Sequence, residues 1–318
     1  MIRYIISVII GFFLLIKGAD LFVDGMSSTS INLKIPKIII SLTVVAFGTS
    51  APELFISFQG LLSGKDDIVL ANVIGSTIVN TMLVIGLSAI VKPIKIKNET
   101  IKKQLPLHLI IITTFSILLL DNIFNNDINT ISRSDGLILF SIFLYFLYYI
   151  YKYSRHSINN PNIKNDHPKW HLKKSIIYSI IGLIFIIYGS NLAVNNCAAI
   201  ANELHISQKL ITMIILVIGT SSPEIILAIT SAKKGEFDII LGNIIGTNIF
   251  NIGFALGFPV ILLGSVTTKN FNFIDMFIMT LSATILYFFA KDDKKIDKLE
   301  GTIMILIFII YYTYLFFT

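Results

Sequence analysis

Ten apolar stretches divide this chain, near residues 4–24, 36–62, 67–91, 104–121, 134–152, 173–194, 207–233, 238–265, 271–290 and 300–318. Each is about 18 residues or longer, enough for a helix to cross a hydrocarbon core of roughly 30 Å. Inside such a core every backbone N–H and C=O must find its partner within the protein, so these stretches are restricted to helices. Composition points the same way. Of all residues 54% are hydrophobic and 14% charged, against about 25% charged in an ordinary soluble domain. The net charge of +6 comes from residues scattered between the spans. They form no basic patch with aromatics, so nucleic acid is not an expected partner. The single cysteine, Cys197, excludes an intramolecular disulfide and reads as a packing residue. The first run, from Ile5 to about Phe22, outlasts a signal-peptide core and lacks a small-residue cleavage site, which predicts a retained span.

Lysine and arginine set the expected orientation. The loops after spans 1, 3, 5, 7 and 9 hold 19 of them, the opposite side holds 5, and Lys17 lies inside a span. The positive-inside rule then places the odd-numbered loops in the cytoplasm and both termini outside. Lys17 is expected to snorkel or to pair locally with Asp20. The polar segment 153–172 reads as a solvated cytosolic linker, too short for a folded regulatory domain, and its His156, His167 and His171 as linker residues rather than metal ligands.

The two halves of the chain repeat. Residues 48–86 align with 219–257 without gaps, at a constant offset (219 minus 48, or 171). Identical pairs include Gly48/Gly219, Thr49/Thr220, Ser50/Ser221, Pro52/Pro223, Glu53/Glu224, Asp67/Asp238, Asn72/Asn243, Gly75/Gly246 and Asn80/Asn251. The offset continues outward, matching Gly11 and Gly18 to Gly182 and Gly189. The expected organisation is a first five-helix repeat at 1–152 (core 41–91), the linker, and a second at 173–318 (core 212–262). Five is odd, so the second repeat enters the membrane from the opposite side. The fold class expected is therefore an all-α integral membrane protein of ten transmembrane helices in two inverted five-helix repeats, an architecture common among secondary transporters.

Two carboxylates carry the chemistry. Glu53 and Glu224 lie inside apolar spans with no lysine or arginine nearby in sequence. A charge there costs several kcal/mol unless it is protonated, paired or bound to a cation. On a helix Thr49, Ser50 and Ser57 share a face with Glu53, and Thr220 and Ser221 stand in the same relation to Glu224. Asn72, Ser76 and Asn80 fall at i, i+4, i+8, as do Asn243, Thr247 and Asn251. Such oxygens suit a hard cation like Ca²⁺, which takes about six to eight. Pro52 and Pro223 should break their helices and free the carbonyls of Gly48 and Gly219. Asp67 and Asp238 begin spans and read as N-terminal helix acids.

The motifs G-T-S-x-P-E and G-N-x-x-G-[ST]-N resemble the α-repeats of the Ca²⁺/cation antiporter superfamily, in particular its sodium/calcium exchangers of prokaryotic type. The first partner motif departs from the pattern, with Ala71 and Thr77 where the second has Gly242 and Asn248. The resemblance covers nearly the whole chain. It implies a midplane metal site where spans 2, 3, 7 and 8 meet, with Glu53 and Glu224 as its acids. It further implies Thr49, Ser50, Thr220 and Ser221 as hydroxyl or carbonyl ligands, Ser76 and Thr247 on the partner helices, and the carbonyls of Ala46 and Val217. Asn80 and Asn251 occupy positions where some members have one Asn and one Asp, which leaves two strong acids here. Spans 1 and 6 match the helices that slide during alternating access.

The expected function is exchange of Ca²⁺ for Na⁺ across a bilayer, with Ca²⁺/H⁺ antiport as the alternative and a passive cation channel third. An intramembrane enzyme ranks last, because no H-E-x-x-H and no nucleophile–base constellation is present. No cofactor and no obligatory protein partner is expected; the partners are lipid and the transported ions. A prokaryotic plasma membrane is the expected location.

Overall fold

The computed structural model describes residues 2–120, 129–158, 168–203, 217–268, 271 and 273–317. Its helices are α1 (Ile2–Leu33), α2 (Lys37–Thr49), α3 (Ala51–Leu62), α4 (Asp66–Val91), α5 (Thr100–Leu118), α6 (Arg133–Ile158), α7 (Leu172–Glu203), α8 (Val217–Thr220), α9 (Ser222–Lys234), α10 (Phe237–Leu263), α11 (Phe273–Asp292) and α12 (Lys298–Phe317). Four short strands accompany them: β1 (Ile94–Lys95), β2 (Asn129–Ile131), β3 (Val266–Thr268) and β4 (Lys295–Ile296). Among the described residues eight helices are long and apolar enough to cross a membrane. The chain is an all-α integral membrane protein.

The other two expected spans are the ones that break. The helix stops at Thr49 and restarts at Ala51, and in the second half stops at Thr220 and restarts at Ser222. Each break lies just ahead of Pro52 or Pro223, where the missing N–H and the ring remove a turn of helical bonding. Residues 207–216 of the expected seventh span lie outside the described residues, as do Lys164, His167, Lys209 and Lys269. Elsewhere the helices outrun their sequence limits. α1 continues to Leu33 rather than 24, α7 to Glu203 rather than 194, and α6 enters the linker as far as Ile158. Polar residues do not stop a helix whose backbone bonds are already satisfied internally.

The contacts group the chain into two units. The first holds residues Met1–Thr49 and Tyr151–Asn243. Its spine is the pair α1 and α7. A Cβ on Gly18 would lie 2.8 Å from the carbonyl oxygen of Gly182, and one on Gly189 would lie 2.7 Å from that of Gly11. Only glycines permit backbones this close. The matches Gly18–Gly182 and Gly11–Gly189 run in opposite chain directions, so the repeat-related helices are antiparallel. Leu15, Ala19, Phe22, Val45, Ile186 and Leu227 form the core here.

Ion pairs gather at one end of this unit. Lys37 Nζ meets Glu236 at 2.8 Å, and Asp24 takes Lys169 at 2.6 Å and Lys234 at 2.8 Å. Asp20 pairs with Lys234 at 3.3 Å rather than with Lys17, and of the two expectations for Lys17 its exposure leaves snorkelling. The three lysines come from loops after spans 1, 5 and 7, which the charge count put on one side.

The second unit holds residues Ser50–Ile150 and Ile244–Thr318. Two antiparallel ladders tie its loops. β1 pairs with β4, Ile94 opposite Ile296, and β2 pairs with β3, Thr130 opposite Thr267. The first ladder joins the loops after spans 3 and 9; the second joins those after spans 4 and 8. Both pairings match loops of the same parity. Phe140 and Phe143 on α6 pack against Phe250, Phe254 and Phe258 on α10, whose i+4 spacing lays three rings along one face. Gly86 on α4 and Gly301 on α12 form another close crossing.

Candidate cation site

In the second unit the restarted helix α3 carries Glu53 in its first turn. The amide of Leu54 closes onto the carbonyl of Ser50 at 3.1 Å, so Glu53 hangs from the newly formed helix start. Its side chain is fully buried, as is that of Ser57 one turn later. Opposite stands α4, where Asn72 Nδ2 donates to the Glu53 carbonyl oxygen at 3.2 Å. Ser50 Oγ donates to Thr247 Oγ1 at 3.1 Å, and Asn251 Nδ2 to Ser76 Oγ at 3.3 Å. Asn80 Nδ2 donates to Asn248 Oδ1 at 3.2 Å. Ser50, Glu53, Ser76, Asn80, Thr247 and Asn251 are thus brought together in one buried polar group.

One pattern runs through this group. Asn72, Asn80 and Asn251 each use their amide nitrogen in a hydrogen bond, while each Oδ1 is buried with no hydrogen-bond partner among the described residues. Ser57 Oγ is left in the same way. Buried acceptors without donors are costly, by roughly 1–3 kcal/mol each, and a cation bound among them would offset that cost. No lysine or arginine is buried among the described residues. Nor do any three of His, Cys, Asp and Glu cluster among them. Carboxylates set among neutral oxygens suit a hard cation rather than a thiophilic or imidazole-binding metal.

Two of these asparagines sit where the helix widens. Val79–Val84 in α4 and Asn251–Leu256 in α10 are π-helical, so Asn80 and Asn251 lie at the entry of matching bulges. Such bulges recur at functional sites because the extra residue per turn redirects a side chain.

The first unit repeats the theme with differences. Ser221 sits at the break with φ −82° and ψ 2°, and the Ile225 amide bonds its carbonyl at 3.0 Å. Glu224 follows in the first turn of α9, fully buried, with the Thr49 hydroxyl beside it. Thr49 is itself buried and lies 3.1 Å from the Val45 carbonyl, 3.3 Å from that of Ala46 and 3.2 Å from Asn243 Oδ1. Ala46 therefore offers its carbonyl to a hydroxyl of its own helix. Ser221 is buried, whereas Thr220 is half-buried. Val217 opens α8, and its side chain is outside the described residues. The Gly219 carbonyl, expected to be free, accepts the Ser222 hydroxyl at 2.7 Å. Asp67 and Asp238 both fall in first turns, and Asp67 accepts from Thr268 at 2.6 Å.

Three residues of the second unit were not singled out as site residues from the sequence. Asn248 Nδ2 donates to Thr81 Oγ1 at 3.0 Å and meets His108 Nε2 at 2.9 Å. A lone histidine in the apolar span Leu105–Leu118 was the available signal.

Comparison with known proteins now bears on this geometry. The family model described as "Sodium/calcium exchanger protein" matches residues 3–152 and 174–317. The inner membrane protein YrbG of Escherichia coli is 32% identical over 261 residues, 80% of this chain and 78% of that one. The Ca²⁺/H⁺ antiporter ChaA of Bacillus subtilis is 26% identical over 302 residues, covering 90% and 85%. A solved structure of the sodium-calcium exchanger NCX_Mj, soaked with Na⁺ and Ca²⁺, superposes with a TM-score of 0.84 at 30% identity, covering 98% of both chains. Family match, relatives and fold agree: the chain is a cation antiporter of the Ca²⁺/cation superfamily and belongs to its sodium/calcium exchanger family.

Proposed function

We propose that the protein exchanges Ca²⁺ for Na⁺ by alternating access, with Glu53 and Glu224 as the two acids of one midplane site. The observation that carries this reading is the set of oxygens of Asn72, Asn80 and Asn251, each buried and without a donor among the described residues while its amide nitrogen is tied down. That arrangement offers oxygens and withholds protons. Two ionised glutamates match the charge of one Ca²⁺, and the surrounding hydroxyls and amides supply neutral ligands (Thr49, Ser50, Ser76, Asn80, Thr220, Ser221, Thr247 and Asn251, with the carbonyls of Ala46 and Val217). With Ca²⁺ gone, the same oxygens hold Na⁺.

The glycine-lined pair α1 and α7 suits the moving element, because a flat seam without interlocking side chains slides at low cost. The ten-span, inverted-repeat topology is part of this proposal. It is supported by the antiparallel glycine matches and by ladders that join only loops of like parity. That both termini lie outside follows from the charge bias, and the compact form suits a prokaryotic inner membrane.

Proton coupling is the second reading, supported by the similarity to ChaA. One assay separates the two. Proteoliposomes loaded with Na⁺ at equal pH on both sides should take up ⁴⁵Ca²⁺, and uptake should collapse when external Na⁺ equals internal. Uptake driven by a pH gradient and indifferent to Na⁺ would select the proton reading; uptake that ignores both gradients would remove antiport by either ion.

A further inference from the structure

His108 lies in mid-span, fully buried, on a helix that contributes none of the proposed ligands. Its Nε2 is 2.9 Å from Asn248 Nδ2. With Asn248 Nδ2 placed against it, Nε2 is the acceptor and the ring hydrogen falls on Nδ1, which is buried without a partner among the described residues. The second hydrogen of Asn248 Nδ2 goes to Thr81 Oγ1 at 3.0 Å. With its nitrogen turned toward His108 and Thr81, Asn248 turns Oδ1 toward Asn80, whose Nδ2 donates to it at 3.2 Å. The end of this chain of bonds is Asn80 Oδ1, buried and without a donor. All of these groups belong to the second unit.

The chain has a direction, and His108 sets it. If Nε2 carried the hydrogen, Asn248 would have to present Oδ1 to the ring, and its Nδ2 would face Asn80. Asn80 would then turn Oδ1 toward Asn248 and put its NH₂ where its oxygen had been. An NH₂ group repels a cation.

We propose that His108 is a positioning residue, acting through Asn248 to keep the Asn80 oxygen facing the transported cation. This rests on the reading of Asn80 as a ligand. The arrangement belongs to one half only. The offset that relates the repeats puts Met279 opposite His108 and Thr77 opposite Asn248, and Thr77 bonds the Val73 carbonyl of its own helix. Asn251, the counterpart of Asn80, is held by Ser76 instead.

The test uses full-length protein in proteoliposomes. His108→Gln keeps an acceptor at the depth of Nε2; His108→Leu removes it; His108→Asn keeps a polar group one carbon too short. The Leu and Asn variants should raise the KM for Ca²⁺ about tenfold with maximal rate within about twofold, and the Gln variant should stay within about twofold of wild type in both. In the His108→Leu/Asn248→Ala double variant, KM should be no higher than in Asn248→Ala alone, because the two act in series. A Leu KM unchanged from wild type, a Gln variant as impaired as Leu, or additive effects would overturn the assignment. If Leu and Asn fail to fold, the Gln variant still decides, since it must fold and transport. A readout independent of transport is ¹⁵N NMR of the buried imidazole. It should show Nδ1 protonated and Nε2 bare, and a protonated Nε2 overturns the proposal even if the wild type exchanges no Ca²⁺, a result that would sink the functional reading on separate grounds.

Discussion

Glu53 and Glu224 come from the same motif at the same offset, yet their surroundings differ. Both follow a break at a serine, both hang from the first turn of a restarted helix, and both are fully buried. Beside Glu53, Asn72 gives its amide hydrogen to the glutamate's own carbonyl and leaves its oxygen open. Beside Glu224, Asn243 Oδ1 lies within reach of the Thr49 hydroxyl, and its nitrogen has no partner among the described residues. The preceding carbonyl also differs in treatment. Ser222 caps that of Gly219, while the matching position in the first half is Ala51, which has no hydroxyl. Duplication therefore kept the acid and the break and let the neutral shell diverge. On the proposed reading, the acids are the part that cannot be traded and the shell is where the halves can specialise.

The largest expected effect tests the equivalence of the acids. Glu53→Gln or Glu224→Gln removes half the site's charge and little volume, and Ca²⁺ exchange should fall at least about 100-fold in either. A variant that still exchanges Ca²⁺ at near wild-type rate would break the comparison at its root. Next come the matched asparagines. Asn80→Ala and Asn251→Ala each delete one neutral ligand, roughly 1–1.5 kcal/mol, so the KM for ⁴⁵Ca²⁺ should rise about tenfold in each while the protein still reaches the membrane. If only one variant responds, the halves differ in ligation as well as in bonding. The smallest effect concerns the cap. Ser222→Ala gives the second half the first half's residue and should lower stability by about 1 kcal/mol, a fall of about 2 °C in melting temperature in detergent. No change would mean that the Gly219 carbonyl finds another donor.

Much of this was legible in the sequence because the causes are local. Pro52 and Pro223 each stand beside clustered Gly, Ser and Thr, and the breaks at Thr49–Ala51 and Thr220–Ser222 fall there, whereas Pro106 and Pro259 lie within the unbroken α5 and α10. The glycines that the offset matched, Gly11 and Gly18 with Gly182 and Gly189, line the α1–α7 seam, a packing the repeat alone did not name. What was not legible depends on partners far along the chain. Asp20, three residues from Lys17, was one of two expected outlets for that lysine, but it meets Lys234, and nothing local marks that preference. The His108–Asn248 bond joins residues 140 positions apart, and the repeat offers no counterpart to suggest it. The π-helical turns at Asn80 and Asn251 arise from accommodating an extra residue against neighbouring helices, a tertiary demand without a sequence signature. The Gly219 cap required knowing the rotamer of Ser222.

The central claim is that Glu53 and Glu224 serve a single cation rather than two independent sites. Equilibrium binding of ⁴⁵Ca²⁺ to purified protein in detergent, with Na⁺ absent, tests it most directly. Wild-type protein should bind one Ca²⁺ per chain, and either single Glu→Gln substitution should abolish that binding. Two ions per chain in the wild type, with one retained in each variant, would show two separate sites and contradict the account.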